Sequence, residues 1–302
     1  MKYLVTGGAG FIGSNLTKQL LDQGHEVIIV DDLSTGNRDR IPSQAHFQCF
    51  DISQASWPHA LIALMRGVDV VFHMAAAARV QPSIQKPLEF HNVNVNGTLN
   101  LLIAAHDAGV KRVVYSASSS AYGETDFLPT HEDLPTNPLS PYGLQKLIGE
   151  QYCKLFSEVY ELETVSLRYF NVYGEGMNTS GAYSLAIAKF GKQMQEGLPI
   201  TIWGDGEQKR DFTYVKDVVN ANILAAQSNN VGAGEVINIG NGDNRSINEV
   251  ARMFGGEVKF LDPVPEPRNT LADNTRAKQL LGWEPTMNLE DWIPEYKKQL
   301  GL

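Results

Sequence analysis

Tyr142 and Lys146 stand four positions apart in SPYGLQK (140–146), where a helix is predicted to begin. This spacing places both side chains on one helical face, with Cβ atoms about 5–6 Å apart. Such a pair is either an ordinary surface contact or an acid–base device. An unperturbed tyrosine has a pKa of about 10, and bringing it to about 7 requires roughly 4 kcal/mol of selective phenolate stabilisation. A neighbouring ammonium in a desolvated pocket supplies part of this stabilisation, so Tyr142 is a candidate general base.

A serine cluster precedes this pair, in YSASSSAYG (115–123), where the fifth predicted strand ends. The carboxyl ends of parallel strands form the edge at which open α/β sheets bind ligands. A serine hydroxyl at this edge can hold a substrate oxygen in line with the tyrosine. Ser119 and Ser120 are interpreted as polar turn residues.

A glycine-rich turn, GGAGFIG (7–13), follows the first predicted strand and opens a helix. Gly7, Gly10 and Gly13 match G-x-x-G-x-x-G, and Gly8 completes an overlapping G-x-G-x-x-G. Glycines at this spacing allow a tight turn, close approach of a pyrophosphate and close helix–strand packing. The turn therefore predicts a dinucleotide site.

The residues around this turn indicate which dinucleotide is bound. N–H groups of the first helical turn, including those of Phe11 and Ile12, favour a diphosphate. Asp31 and Asp32 end the second predicted strand. Acidic side chains there accept the ribose hydroxyls of NAD and repel the 2′-phosphate of NADP. We therefore predict NAD. A hydride taken from an alcohol carbon also requires a base such as Tyr142 to remove the hydroxyl proton.

The third predicted strand also ends in candidate cofactor residues. Asp51 is predicted to meet the adenine edge, with Ile52 beside it, although an aspartate before Ser53 can instead cap a helix. Arg38 and Arg40 leave NADP open as an alternative.

Strand-like and helix-like segments alternate through the first half of the chain. Strands are predicted at 2–6, 26–30, 46–50, 69–74, 112–117, 164–170 and 235–240, and helices near 11–23, 55–66, 88–108, 141–160 and 217–227. This alternation predicts an α/β fold, a Rossmann-type doubly wound parallel sheet with a smaller, discontinuous α/β domain. We expect the NAD-binding domain to comprise 1–172 plus about 214–240, and the substrate domain about 173–213 plus 241–302.

Composition and charge exclude several classes of protein. The 302 residues carry 25 basic and 34 acidic side chains, a net charge of −9 without a basic block, which argues against nucleic-acid or anionic-membrane partners. Cys49 and Cys153 form neither a metal-type spacing nor a disulfide framework. The most apolar window, 61–78, is interrupted by Arg66 and Asp69. We expect a cytoplasmic protein without bound metal.

Six segments together resemble the extended short-chain dehydrogenase/reductases, specifically the UDP-glucose 4-epimerase-like nucleotide-sugar enzymes, over nearly the whole chain. They are GGAGFIG, SASSSAYG, SPYGLQK, RYFNVYG (168–174), PLEFHNVNVNGTLNLL (87–102) and IWGDGEQKRDFTYVKDVVNA (202–221). The resemblance implies that Tyr142 is the base, that Lys146 is its partner and holds the nicotinamide ribose, and that Ser118 is the catalytic serine.

The same resemblance implies further binding residues. Met74, Ala75 and Ala76 would pass beneath the cofactor pyrophosphate, and Asn94 would lie near the cofactor, although buried asparagines often tie down loops. Asn171 and Arg210 would contact the substrate diphosphate. The chain departs from this family at two positions of the substrate pocket. Pro263 occupies the position of a phosphate-binding arginine, so Arg268 is the candidate replacement for that arginine. Thr270 stands where some relatives keep a bulky tyrosine, which suggests room for an N-acetyl group on the sugar.

The implied reaction is 4-epimerisation of a UDP-sugar, of the glucose/galactose or GlcNAc/GalNAc type, through a transient 4-keto sugar and bound NADH. A 4,6-dehydratase or a decarboxylase would carry an acidic residue where Ser119 or Ser120 stands, and an NADP-dependent keto-sugar reductase would carry a basic residue in place of Asp31 or Asp32. A non-enzymatic NAD-sensing or RNA-associated relative would have lost its catalytic residues. The resemblance also implies a homodimer through the helices near 88–108 and 141–160.

Overall fold

The computed structural model describes residues 1–54, 58–178, 186–264 and 266–302. In chain order its strands are β1 (Lys2–Thr6), β2 (Glu26–Asp31), β3 (His46–Cys49), β4 (Val70–His73), β5 (Arg112–Ser118), β6 (Glu163–Tyr169), β7 (Val172–Tyr173), β8 (Ile200–Trp203), β9 (Lys209–Asp211), β10 (Thr213–Tyr214), β11 (Ala233–Ile239), β12 (Asn244–Ser246) and β13 (Val258–Leu261). Its α-helices are α1 (Phe11–Asp22), α2 (Pro58–Met65), α3 (Val80–Gln85), α4 (Pro87–His91), α5 (Gly97–Ala108), α6 (Pro141–Tyr160), α7 (Ala186–Gln195), α8 (Val215–Gln227), α9 (Ile247–Phe254), α10 (Thr275–Leu281) and α11 (Leu289–Leu300). Within these ranges no helix is both long and apolar enough to span a membrane.

The central sheet has seven strands in the order β11–β6–β5–β4–β1–β2–β3, and all of its pairs are parallel. The direction of winding reverses between β1 and β4, so the sheet is doubly wound and the prediction of a Rossmann-type fold is confirmed. A crevice forms at such a reversal, outside the carboxyl ends of the strands.

Burial on both faces explains why these strands read as continuous apolar runs. Side chains alternate across a strand, so Tyr3 and Val5 pack with α1 and α8, whereas Leu4 packs with α2, α5 and α6. Helices therefore cover both faces, as parallel sheets require.

A further hydrophobic cluster draws on residues from 173–215 and 247–296, including Phe190, Phe254 and Trp292. Trp283 and Leu281, by contrast, pack with the core of the central sheet. The division into two domains at the predicted boundaries stays a prediction, and 179–185 of the expected substrate domain lie outside the described residues. Positions 55–57 of the helix predicted near 55–66 lie outside them as well.

Candidate active site

The start of α6 fixes the position of Tyr142. The Ser140 side chain caps the helix by accepting the Gly143 N–H at 3.1 Å, and Pro141 occupies the first turn, where its missing N–H costs nothing. The backbone N–H of Tyr142 donates to Ser83 Oγ on α3 at 3.2 Å. Two neighbouring helices thus set the direction in which the phenol leaves the backbone.

The side chains of Tyr142 and Ser118, the last residue of β5, lie close enough to interact. Burial raises the pKa of Tyr142, while the interaction with Ser118 and the positive charge of Arg79 act in the opposite direction. In this structure the phenol is therefore protonated at neutral pH. A base at this position needs further positive charge near its oxygen.

Lys146 lies one turn along α6 and is 3% exposed. Its Nζ donates to the Ser116 carbonyl at 2.8 Å and lies 4.9 Å from the centre of the Tyr115 ring. Burial lowers the pKa of Lys146 to about 8. The ammonium is therefore directed at the end of β5.

Sequence reasoning missed Arg79, which follows the alanine run HMAAAA (73–78) beyond β4. The signal that could have found it is a basic residue at the carboxyl edge of the sheet, directly after small side chains. Ser119 and Ser120 begin a short 3₁₀ turn, in which the Ser120 N–H donates to Ser118 Oγ at 3.2 Å.

The glycine turn forms a cradle of backbone atoms. Gly7 has φ +69°, and a Cβ there would lie 2.7 Å from the Ala75 nitrogen. A Cβ on Gly13 would collide with the Gly7 carbonyl. Gly10 takes the N-cap position of α1 without offering a side chain, so the N–H groups of the first turn stay available to a ligand. This cradle fits a diphosphate.

Acidic residues border the cradle at the end of β2. The buried carboxylate of Asp31 accepts the N–H groups of Ala9 and Leu33, each at 2.9 Å. Burial raises the pKa of Asp31, and these two hydrogen bonds partly offset that effect. Asp32 is exposed and accepts from the backbone and hydroxyl of Ser34. Asp31 is thus joined to the glycine turn, beside the position predicted for a ribose.

Asp51 and Ile52 lie after β3. Asp51 accepts the N–H and the hydroxyl of Ser53 at 2.9 and 2.7 Å, which closes a tight turn. Ile52 is buried beside Gly97. Their contact with a cofactor stays a prediction.

The segment beyond β4 runs against the glycine turn. Thr6 Oγ1 accepts the N–H groups of Met74 and Ala75, each at 3.1 Å. After Ala76, both backbone polar groups of Ala77 bond to the Asn94 side chain at 2.9 Å. Asn94 therefore ties down the chain, and its predicted contact with the cofactor stays a prediction.

The side chains of Asn171 and Arg210 both contact the segment 268–270. Asn171 Nδ2 donates to the Asp211 carbonyl at 2.8 Å and to Thr270 Oγ1 at 3.4 Å. The Arg210 guanidinium forms an ion pair with Glu266 at 2.7 Å and donates to the Arg268 carbonyl at 3.3 Å. Both side chains therefore reach one short segment of the chain, and their contact with a diphosphate stays a prediction.

Arg268 itself points elsewhere. Its guanidinium makes a two-pronged contact with Asp205, at 2.8 and 3.0 Å, on an exposed surface. Both residues border a cavity of about 500 Å³ whose walls also include Trp203, Pro263 and Glu266. Whether Arg268 replaces the arginine missing at Pro263 stays a prediction.

Comparison with known proteins gives a consistent picture. Residues 3–240 match the family described as NAD dependent epimerase/dehydratase. A UDP-glucose 4-epimerase from Mycolicibacterium smegmatis is 37% identical over 305 residues, covering 97% of this chain and 96% of that protein. The structure of UDP-glucose 4-epimerase with UDP-glucose from Thermotoga maritima superposes with a TM-score of 0.93 at 36% identity, covering 99% of this chain and 100% of that one. UDP-glucuronic acid 4-epimerase from Bacillus cereus, in complex with UDP-glucuronic acid and NAD, gives 0.89 at 36% identity with the same coverage.

Proposed function

This chain belongs to the NAD dependent epimerase/dehydratase family, and from that premise we propose that it interconverts the C4 epimers of a UDP-sugar. The observation that carries the proposal is the placement of the Tyr142 phenol beside Ser118 at the carboxyl edge of the sheet, with the buried Lys146 ammonium one helical turn away. Named relatives that are UDP-sugar 4-epimerases support it.

The cofactor is NAD, and the residues that would hold it are those of the backbone cradle around Gly7 and Gly13, with Asp31 at the ribose and Lys146 at the nicotinamide side. The chemistry that NAD supplies when bound is reversible acceptance of a hydride. The glycine cradle, the Asp31 carboxylate and the Lys146 ammonium all lie along the carboxyl edge of the sheet. This is the edge at which a dinucleotide binds in such folds.

Two residues of this chain would transfer the proton of the sugar 4-hydroxyl. The Ser118 hydroxyl would hold O4 of the sugar, and Tyr142 would remove the proton from O4 as the 4-keto sugar forms. The same tyrosine would return that proton after the sugar has turned over. Because burial raises the pKa of Tyr142, its conversion to the phenolate that can accept this proton depends on nearby positive charge.

Side chains beside the catalytic serine favour epimerisation over elimination. Ser119 and Ser120 occupy the positions where a dehydratase would carry acids, and hydroxyls near pH 7 do not transfer protons unaided. On the substrate side, Thr270 presents a short side chain next to Asn171. This supports acceptance of an N-acetyl group at C2 as well as a hydroxyl.

A homodimer is part of the proposal. Exposed apolar side chains lie on α5 and α6, which pack side by side: Ile103, Leu144, Leu155, Val159 and Tyr160. Val159 is the most exposed of these side chains, at 60%. A second copy of this surface would cover these side chains. We also place the enzyme in the cytoplasm, where both free thiols, Cys49 and Cys153, would stay reduced.

The deciding experiment uses the purified protein without added cofactor. UDP-glucose and UDP-GlcNAc are incubated with it separately, and the anomeric proton is followed by NMR. Growth of the galacto-configured signal establishes 4-epimerisation with retained NAD and identifies the tolerated C2 substituent.

The control is Tyr142→Phe, which removes the acid–base oxygen and is expected to abolish the signal. If the wild-type protein converts neither sugar even with NAD supplied, both substrates are excluded. UDP-glucuronate would then be tested next.

A further inference from the structure

Gln145 stands on α6 between the two proposed catalytic residues, Tyr142 and Lys146. Its side chain is 4% exposed, and both ends of its carboxamide are hydrogen-bonded. Gln145 Oε1 accepts from Asn94 Nδ2 at 3.0 Å, and Gln145 Nε2 donates to the Pro87 carbonyl at 3.3 Å. Gln145 therefore joins the catalytic helix to two points of the chain that follows β4.

The backbone fixes the direction of each hydrogen bond in this group. Asn94 Oδ1 accepts the Ala77 N–H, and Asn94 Nδ2 donates to the Ala77 carbonyl, both at 2.9 Å. Because a backbone N–H only donates and a carbonyl only accepts, these two bonds determine the orientation of the Asn94 carboxamide. The other hydrogen of Asn94 Nδ2 is donated to Gln145, which must present its oxygen there. Gln145 Nε2 is then the end that meets the Pro87 carbonyl.

Asn94 lies in a π-helical turn, Asn92–Asn96, between α4 and α5. The Gly97 N–H donates to the Asn92 carbonyl, five residues earlier. The Asn94 carbonyl accepts the Thr98 hydroxyl at 2.7 Å. Such turns are rare and are frequent at functional sites. In this chain the turn holds the Asn94 side chain between Ala77 and Gln145.

These contacts connect the catalytic helix with the segment that runs against the glycine turn. The Ala75 N–H donates to Thr6 Oγ1, and Ala77 follows two residues later in the clamp of Asn94. At the start of α6, the Tyr142 N–H donates to Ser83 Oγ. The backbone contact fixes the first turn of α6, and the Gln145 side chain fixes the same helix at the level of Lys146.

We propose that Gln145 is a positioning residue, which sets the placement of Tyr142 and Lys146 relative to bound NAD by tying α6 to the clamp that Asn94 forms on Ala77. Its effect on catalysis rests on the proposed 4-epimerisation, whereas its effect on NAD retention requires no sugar.

The test uses Gln145→Met, which has a similar length but can neither donate nor accept these hydrogen bonds. The variant leaves an N–H of Asn94 and the Pro87 carbonyl buried without this partner, so α6 should shift away from the clamp. Exchange of bound NAD for added isotopically labelled NAD should become about tenfold faster or more. With a UDP-sugar as substrate, kcat should fall about tenfold or more at nearly constant KM, because the catalytic groups are displaced while the substrate contacts remain.

Two further variants show whether Gln145 acts through Asn94. In an Asn94→Ala background, Gln145→Met should cause little further loss of kcat, since the clamp is already absent. Gln279→Met, on the exposed side of α10, is the matched control and should leave both NAD exchange and kcat unchanged. Urea unfolding establishes that each variant is folded under the assay conditions. If Gln145→Met does not fold, Gln145→Ala takes its place, because the smaller side chain leaves room for water at both partners.

A folded Gln145 variant with lower stability but the NAD exchange rate and kcat of the wild type would overturn the proposal, because Gln145 would then serve the fold alone. Fully additive losses in the Asn94→Ala background would overturn the route through Asn94. If the wild-type protein converts no sugar, the proposed function fails, whereas the rate of NAD exchange still decides the role of Gln145.

Discussion

Replacing His73 by glutamine should remove much of the acid sensitivity of folding. His73 Nδ1 lies 2.9 Å from Thr6 Oγ1, and Nε2 lies 2.9 Å from Thr98 Oγ1. The Thr98 hydroxyl donates to the Asn94 carbonyl at 2.7 Å, so Nε2 must carry the hydrogen. Thr6 Oγ1 already accepts two backbone N–H groups. A proton added to Nδ1 would therefore find no acceptor, and the imidazolium would be buried without a partner.

The magnitude follows from the pKa. Burial lowers the pKa of His73 from 6.5 to about 3. Between these values the unfolded chain binds a proton that the folded chain does not, so stability falls as the pH falls. The slope is about 1.4 kcal/mol per pH unit, or about 3 kcal/mol between pH 8 and pH 4.5. This stabilisation is fully present above pH 6.5, the pKa of the histidine in the unfolded chain. It is lost as the pH falls toward about 3, the pKa of His73 in the folded protein.

The assay is urea unfolding of wild type and His73→Gln at several pH values between about 4.5 and 8, and its readout is the stability difference between them. The difference is needed because burial raises the pKa of Asp211 to about 7 and also raises that of Glu132, and these groups stabilise the fold as the pH falls. His73→Gln should be the less stable protein at pH 8, and the gap should narrow on acidification. His59→Gln, on the exposed side of α2, is the matched control. A gap that stays constant with pH would refute the assignment of a neutral, doubly bonded imidazole.

Three other predictions concern the site. Gly7→Ala should abolish NAD retention, because its Cβ would meet the Ala75 backbone. The assay measures the NAD released from the denatured protein, and an NAD content equal to that of the wild type would contradict the proposed cradle. Burial lowers the pKa of Lys146 to about 8, so kcat should fall as the pH rises through that value and the ammonium loses its charge. A kcat that stays constant up to pH 10 would exclude a role for the ammonium. Arg210→Met should raise KM for a UDP-sugar about tenfold or more, at nearly constant kcat; an equal loss in kcat would place Arg210 in the chemical step instead.

The sequence predicted the parts of the fold that depend on local pattern. Parallel strands buried on both faces must be apolar throughout, so β1, β2, β4 and β5 were visible as runs, and the glycine turn marked the first of them. The two- and three-residue strands β7, β9, β10 and β12 escaped prediction because such short segments carry no periodicity. Helices α7, α9 and α11 escaped as well, because their apolar faces are interspersed with charged residues in a region of frequent glycine and proline.

The contacts of the proposed site residues were harder to predict than their positions in the helices and strands. The helical spacing correctly placed Tyr142 and Lys146 on neighbouring turns of α6, but spacing carries no information on what each head group meets. The partner of the Lys146 ammonium is a backbone carbonyl, that of Ser116, and any residue type could supply it. Arg79 has a backbone φ of +95°, and no local pattern in the sequence predicts this conformation.

The main chain and the side chain of Arg268 bind different partners. Its carbonyl accepts from the Arg210 guanidinium, whereas its own guanidinium is bound to Asp205 at the surface. Arg210 is meanwhile paired with Glu266. A diphosphate reaching this group would compete with Glu266 for Arg210 and with Asp205 for Arg268. Since an exposed ion pair is worth about 1 kcal/mol or less, Arg268 should exchange its partner at little cost. We therefore predict that Arg268 supplies the positive charge that Pro263 cannot, which Arg268→Met would test by raising KM for a UDP-sugar.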